Sequence, residues 1–151
     1  MNRIDAEMSH TSYGYIDTNN NILKKEFIIN NKPVDYKRLL KNAEIGCLTV
    51  MYNQYKLGKC YMPNLRRKQD YALWFSILKK GSVSMPIVDV LAFYRLRKGA
   101  NTSNKWKLIT PQYALLREQE KLNIYNCVKY TIIYVLRGFL KYGISSLIPR
   151  K

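Results

Sequence analysis

Arg66-Arg67-Lys68-Gln69-Asp70-Tyr71-Ala72-Leu73-Trp74 sets one carboxylate among three cations at the predicted start of a helix. Asp70 is the only acid between Glu44 and Asp89. From there Tyr71, Trp74, Phe75 and Leu78 recur at i, i+3, i+4 and i+7, the spacing of one helix face, and Gly81 closes the pattern. The spacing predicts an amphipathic helix over residues 69–80. Positive neighbours and helix N-terminal amides both favour an ionised carboxylate at its start. Such a group either caps the helix, a common job for Asp, or accepts a proton from a substrate hydroxyl. The pattern alone leaves both readings open.

Toward the N-terminus, residues 8–16 read as a strand, 17–21 as an Asn-rich turn and 22–29 as a second strand, together a hairpin. Residues 30–33 break the pattern, and Asp35 is placed to cap a short helix with Tyr36, Leu39 and Leu40 on one side. Residues 47–52 are an apolar run after Gly46, predicted as a buried central strand that carries Thr49. The loop 53–68 then collects Lys56, Lys59, Arg66, Arg67 and Lys68 without an acid.

Toward the C-terminus two strands are predicted, 83–88 and 90–97. If extended, the second puts Leu91, Phe93, Arg95 and Arg97 on one face. Two arginines leaving an apolar strand end suit an anion site, or equally a solvated strand end. Residues 99–104 read as a polar loop and 106–122 as a helix with a break at Pro111. From Lys121 onward there are six Lys or Arg and no acid, with Ile124, Val128, Ile132, Val135, Phe139 and Tyr142 at helical spacing. Asn126, Lys129, Arg137 and Lys141 share the opposite sector. Arg137 and the short uncharged runs exclude a membrane span. The segment either lies on an anionic membrane surface or docks on the domain's own core.

Composition narrows the function classes. The 151 residues, 47% of them hydrophobic, suit one domain with a core. A net charge of +16 implies an anionic partner such as nucleic acid, phospholipid headgroups or a phosphorylated small molecule. Cys47, Cys60 and Cys127 form no Cys-x-x-Cys pair, so neither a disulfide framework nor a zinc knuckle is supported, and a reducing cytosol fits best. His10 is the only histidine, which removes histidine triads and multi-histidine metal sites. Arg3, Asp5 and Glu7 precede any apolar run, unlike a secretory signal.

Six pieces in order then carry a resemblance: Thr11-Ser12-Tyr13; Asp35-Tyr36 with Leu39-Leu40; Gly46-Cys47-Leu48-Thr49-Val50-Met51; Arg66-Arg67-x-Gln69-Asp70-Tyr71-x-Leu73-Trp74; Tyr94-Arg95-x-Arg97; and Ser103-Asn104-Lys105. Over residues 8–120 the chain resembles the acceptor-side half of a bacterial family 2 glycosyltransferase. The resemblance implies an α/β class and a partial GT-A fold, a mixed sheet with flanking helices. The N-terminal nucleotide-binding half would be lacking, and amphipathic helices would follow at the C-terminus. It implies a division into residues 1–110, the acceptor-side half, and 111–151, a basic helical extension.

The resemblance implies Asp70 as catalytic base in an inverting transfer from a nucleotide-sugar to a hydroxyl acceptor. Arg66, Arg67, Arg95, Arg97, Ser103 and Lys105 would bind the donor diphosphate, and Thr49 and Trp74 the acceptor, although Trp74 equally suits core packing. A divalent Mg or Mn ion is expected in the complete enzyme, on an Asp-x-Asp pair that this chain lacks; Asp5-Ala6-Glu7 has no buried strand before it. The expected partners are a nucleotide-sugar, a glycan or lipid-linked acceptor, a membrane surface through 121–151 and a separate donor-half polypeptide. The expected place is the cytoplasm, peripheral on the inner face of the membrane. By this reading the chain is inactive alone, and strand 47–52 loses a sheet neighbour. Two other classes fit the charge: a nucleic-acid-binding module using 13 tyrosines to stack on bases, and a membrane-surface module without catalysis.

Overall fold

The computed structural model describes residues 5–97 and 109–146, with side chains through residue 138 of the last helix. The elements are β1 (Met8–Ile16), β2 (Ile22–Phe27), α1 (Tyr36–Lys41), a 3-10 turn (Cys47–Thr49), β3 (Met51–Tyr52), α2 (Gln54–Leu57), α3 (Gln69–Leu78), β4 (Ser84–Arg95), α4 (Ile109–Ala114) running into a π-helical turn (Leu115–Gln119), and α5 (Ile124–Ser146). The class is α/β with a four-stranded mixed sheet and helices, as the resemblance implied.

The centre of that sheet is β1. One of its edges pairs in parallel with β4 along its whole length, from Met8 opposite Ser84 to Ile16 opposite Arg95. The other edge is shared by two antiparallel neighbours, β3 at Met8 and Ser9 and β2 from Tyr13 to Ile16. Residues 47–52 are therefore not the central strand. They form a 3-10 turn and a two-residue strand, with Leu48 and Met51 exposed. An apolar run was the expected mark of a strand buried on both faces, yet the strand so buried carries Ser9, His10, Thr11 and Ser12.

Part of this buried polar set is met by neighbours, while Ser9 Oγ and His10 Nε2 have no partner among the described residues. His10 Nδ1 lies 2.8 Å from Ser84 Oγ, and the Ile29 amide donates to Ser12 Oγ at 3.1 Å. The two strands predicted at 83–88 and 90–97 are one, β4. It carries three more residues than β1, taken up where Thr11 faces Ile87, Ser12 faces Val90 and Tyr13 faces Ala92. Asp89, which reads as a break in sequence, sits exposed in this bulged stretch, where an extra residue needs no partner.

Helix α3 is the hub of the helical part. Tyr71, Ala72, Leu73, Trp74, Phe75, Ile77 and Leu78 are all buried, so it is enclosed on more sides than its amphipathic pattern implied. Gly81, at φ 99°, adopts the left-handed backbone that only glycine takes freely and turns the chain into β4. Asp35 caps α1 as expected, accepting from the Arg38 amide at 2.7 Å. Pro111 opens α4 instead of breaking it, because the first helical turn needs no donor there.

The expected boundary at residue 110 falls inside α4, and Leu115, Leu116 and Cys127 share one core cluster with Met8, Leu40 and Phe75. A polar clasp closes this cluster at Glu120. The Tyr36 hydroxyl donates to it at 2.7 Å and Lys79 Nζ approaches to 3.2 Å. Burial, then the Glu120 carboxylate, push the Tyr36 phenol well above its ordinary range.

Burial, with a smaller contribution from the Arg38 charge, holds the His10 imidazole down to about 4 from 6.5. The unfolded chain therefore takes up a proton at a higher pH than the folded one. Stability is full above pH 6.5 and falls as the pH drops toward 4, by roughly 3 kcal/mol at 1.36 kcal/mol per unit. Urea midpoints measured between pH 7.5 and 4.5 should show this loss. A His10→Asn variant, which keeps an amide for Ser84, should give a flatter profile; parallel profiles would remove His10 as the source.

Candidate active site

Asp70 occupies the second position of α3, and it is not the cap. The cap residue is Lys68, in the left-handed conformation (φ 63°, ψ 20°), with no side-chain hydrogen bond to the helix end. That backbone costs a non-glycine residue roughly 1–2 kcal/mol, strain of a kind that collects at functional sites. The half-buried Asp70 carboxylate makes no hydrogen bond and no ion pair among the described residues. The helix-capping reading thus loses its bond, and the carboxylate stays free to accept one.

Lys68 turns inward between two rings. Its Nζ donates to the Tyr134 hydroxyl at 2.9 Å and lies 4.7 Å from the Tyr71 ring centre and 4.3 Å from that of Tyr134. Burial pushes this ammonium down to about 8, while the Asp70 charge pulls it the other way. Burial also raises the Tyr134 hydroxyl and the Cys47 thiol, and the Asp70 carboxylate adds to both shifts. The Asp70 charge thus acts on a group of the 3-10 turn, on the cap of α3 and on a group of α5. A free carboxylate beside an aromatic-clamped cation is equipped to take a proton from a hydroxyl brought to it.

The other expected residues lie in separate places. Arg66 and Arg67 line an open groove of about 230 Å³ with Leu65, Thr110, Glu118 and Gln119, beside the π-helical turn. Arg95 is held at the far end of the sheet, donating to the Asp17 carbonyl at 2.9 Å. Asp17 itself is kept below the usual carboxylate range, mainly by the side chain and amide of Asn21. Arg97 is exposed beyond the end of β4. Ser103 and Lys105 lie outside the described residues.

The two expected acceptor residues lie inside the fold. Thr49 is buried in the 3-10 turn, not on a strand, and its hydroxyl closes the turn on the Gly46 carbonyl at 2.9 Å. Trp74 is 4% exposed within the core, because α3 is enclosed on that side, so it presents no ring face to a sugar. Its buried indole N–H has no partner among the described residues. Nor do three His, Cys, Asp or Glu side chains converge among those residues, so the divalent ion implied by the resemblance finds no ligand set there. The sequence reading missed Lys68 and Tyr134. Lys68 stood inside the motif as one more cation, and Tyr134 had no signal at all.

With this geometry in place, the matches to known proteins are informative. The chain is 40% identical over 115 residues to TuaG of Bacillus subtilis, a glycosyltransferase assigned to teichuronic acid biosynthesis, an overlap of 76% of this chain and 45% of TuaG. It is 34% identical over 135 residues to WfgD of Escherichia coli, named as a UDP-Glc:alpha-D-GlcNAc-diphosphoundecaprenol beta-1,3-glucosyltransferase, covering 86% of this chain and 53% of WfgD. WfaP of Escherichia coli, of the same named activity, is 26% identical over 136 residues. No family model and no solved structure matches the chain. The chain is a homologue of the bacterial glycosyltransferases. It spans about half the length of the curated relatives it matches, whose names place them in polysaccharide and glycan biosynthesis.

Tyr134→Phe should remove the acceptor of a charged hydrogen bond and lower stability by about 2 kcal/mol, read from urea unfolding. Tyr125→Phe, at a residue 73% exposed on the same helix, is the control and should change little. Equal midpoints for the two variants would show that the Lys68–Tyr134 contact carries no weight.

Proposed function

We propose that the chain forms the acceptor side of an inverting, family 2-like hexosyltransferase that uses a nucleotide-sugar donor and a lipid-linked glycan acceptor. The observation that carries this reading is the unbonded Asp70 carboxylate at the strained start of α3, beside the Lys68–Tyr134 clamp. WfgD and WfaP support the substrate classes through the donor and acceptor in their names.

In the proposed reaction the acceptor hydroxyl gives its proton to Asp70 while its oxygen bonds to the anomeric carbon. The bond from that carbon to the nucleoside diphosphate breaks on the opposite side, and the diphosphate leaves with the electron pair. Arg66 and Arg67, both exposed, would receive that negative charge through planar forks suited to phosphate oxygens. Donor binding and the divalent ion are assigned to polypeptide outside these 151 residues. By the same reading these residues alone do not turn over.

The test is a chimera in which this chain replaces the matching half of WfgD, assayed for glucosyl transfer from UDP-glucose. Asp70→Asn in that chimera should cut turnover by about 100-fold or more with the fold retained. An Asn variant that transfers at the parent rate would sink the assignment of Asp70. An inactive parent chimera that folds, binds UDP-glucose and still fails to engage acceptor would sink the acceptor-side reading.

A further inference from the structure

The apolar face of α5 that the sequence displays is not the face that docks. Cys127 and Thr131 are buried against the domain, and Tyr134 reaches in to Lys68. Ile124, Val128, Ile132 and Leu136, by contrast, are 62%, 44%, 53% and 57% exposed. They follow one another at every fourth residue, sweep an arc of about 120° at 100° per residue and extend for about 18 Å. Tyr125 is exposed on the same side, and Lys129 is exposed at its border with the polar sector. Single exposed apolar residues are ordinary on a protein surface, whereas an unbroken row of four is not.

The net charge of the chain points to the occupant of this row. Lys121 to Lys151 carries six cations and no acid, within a chain of net charge +16. A second copy of the same chain would bring like charges together, while an anionic bilayer would neutralise them and take up the apolar side chains. We propose that Ile124, Val128, Ile132 and Leu136 form a docking stripe that lies on an anionic phospholipid surface, with Tyr125 and Lys129 at headgroup level. Because the inner side of the same helix bonds Lys68, two residues before Asp70, docking would hold the start of α3 close to that surface. This docking rests on α5 and not on the transferase reading, since it needs neither donor nor turnover.

The experiment is co-sedimentation of the full chain with phosphatidylcholine vesicles, with and without phosphatidylglycerol. The expected result is at least about tenfold stronger partition onto the phosphatidylglycerol vesicles, weakened by salt. Val128→Ser with Ile132→Ser, which keeps every charge, should lose about tenfold of that partition with an unchanged thermal melt. Should the pair unfold the chain, spin-labelled lipid mixed with the wild type must broaden the Ile132 methyl signals more than those of the buried Ile77. Equal partition onto both vesicle types, or onto anionic vesicles by both proteins, would overturn the stripe. So would a lipid-free dimer that the double substitution dissolves.

Discussion

Every other element depends on the backbone of β1 being hydrogen-bonded along both edges. β4 lies parallel to it on one side and β2 and β3 antiparallel on the other, and the side chains of residues 8–12 are all buried in a dry interior. Four consecutive polar residues stand there. An unpaired polar group in such a place costs on the order of 1–3 kcal/mol; Ser84 meets His10 Nδ1 and the Ile29 amide meets Ser12, while Ser9 Oγ and His10 Nε2 have no partner among the described residues. The register of β4 brings Ser84 within reach of His10, and the bulge opposite Thr11 to Tyr13 absorbs its extra length.

The helices answer a second need, the burial of α3. With seven of its ten residues inside, α3 cannot lie on the surface of anything. It is enclosed by contributions from α1, the π-helical turn and α5, and the Glu120 clasp locks their ends together. Apart from Ser76, only the first turn of α3 escapes. There the left-handed Lys68 keeps its own cation inside while Asp70 remains half exposed. The site is thus a consequence of how α3 is enclosed: the same packing that hides Trp74 leaves Asp70 as the one acid of the helix, half exposed.

Helix α5 links this site to the outer surface. One side is spent on Cys127, Thr131 and Tyr134, and the exposed apolar row begins beside it and turns away from it around the helix. Geometry docks one side of the helix on the core and leaves an exposed apolar row, the row proposed above as a lipid-facing stripe.

The sequence by itself determined the local pieces: the hairpin around Asp17, the cap at Asp35, the helix at 69–78 and the position of Asp70 in its first turn. These follow from spacing, capping and turn chemistry, which act within a few residues. It also carried the motif order that agrees with the glycosyltransferase homology. Tertiary structure alone decided which strand is central, since burial on two faces depends on neighbours distant in sequence and can be met by Ser and His when partners are supplied. It alone decided the fate of Trp74 and Thr49, whose types suit a pocket as well as a core. It alone brought Tyr134 to Lys68 across 66 residues, a contact without a local signature because neither side chain constrains the sequence near the other.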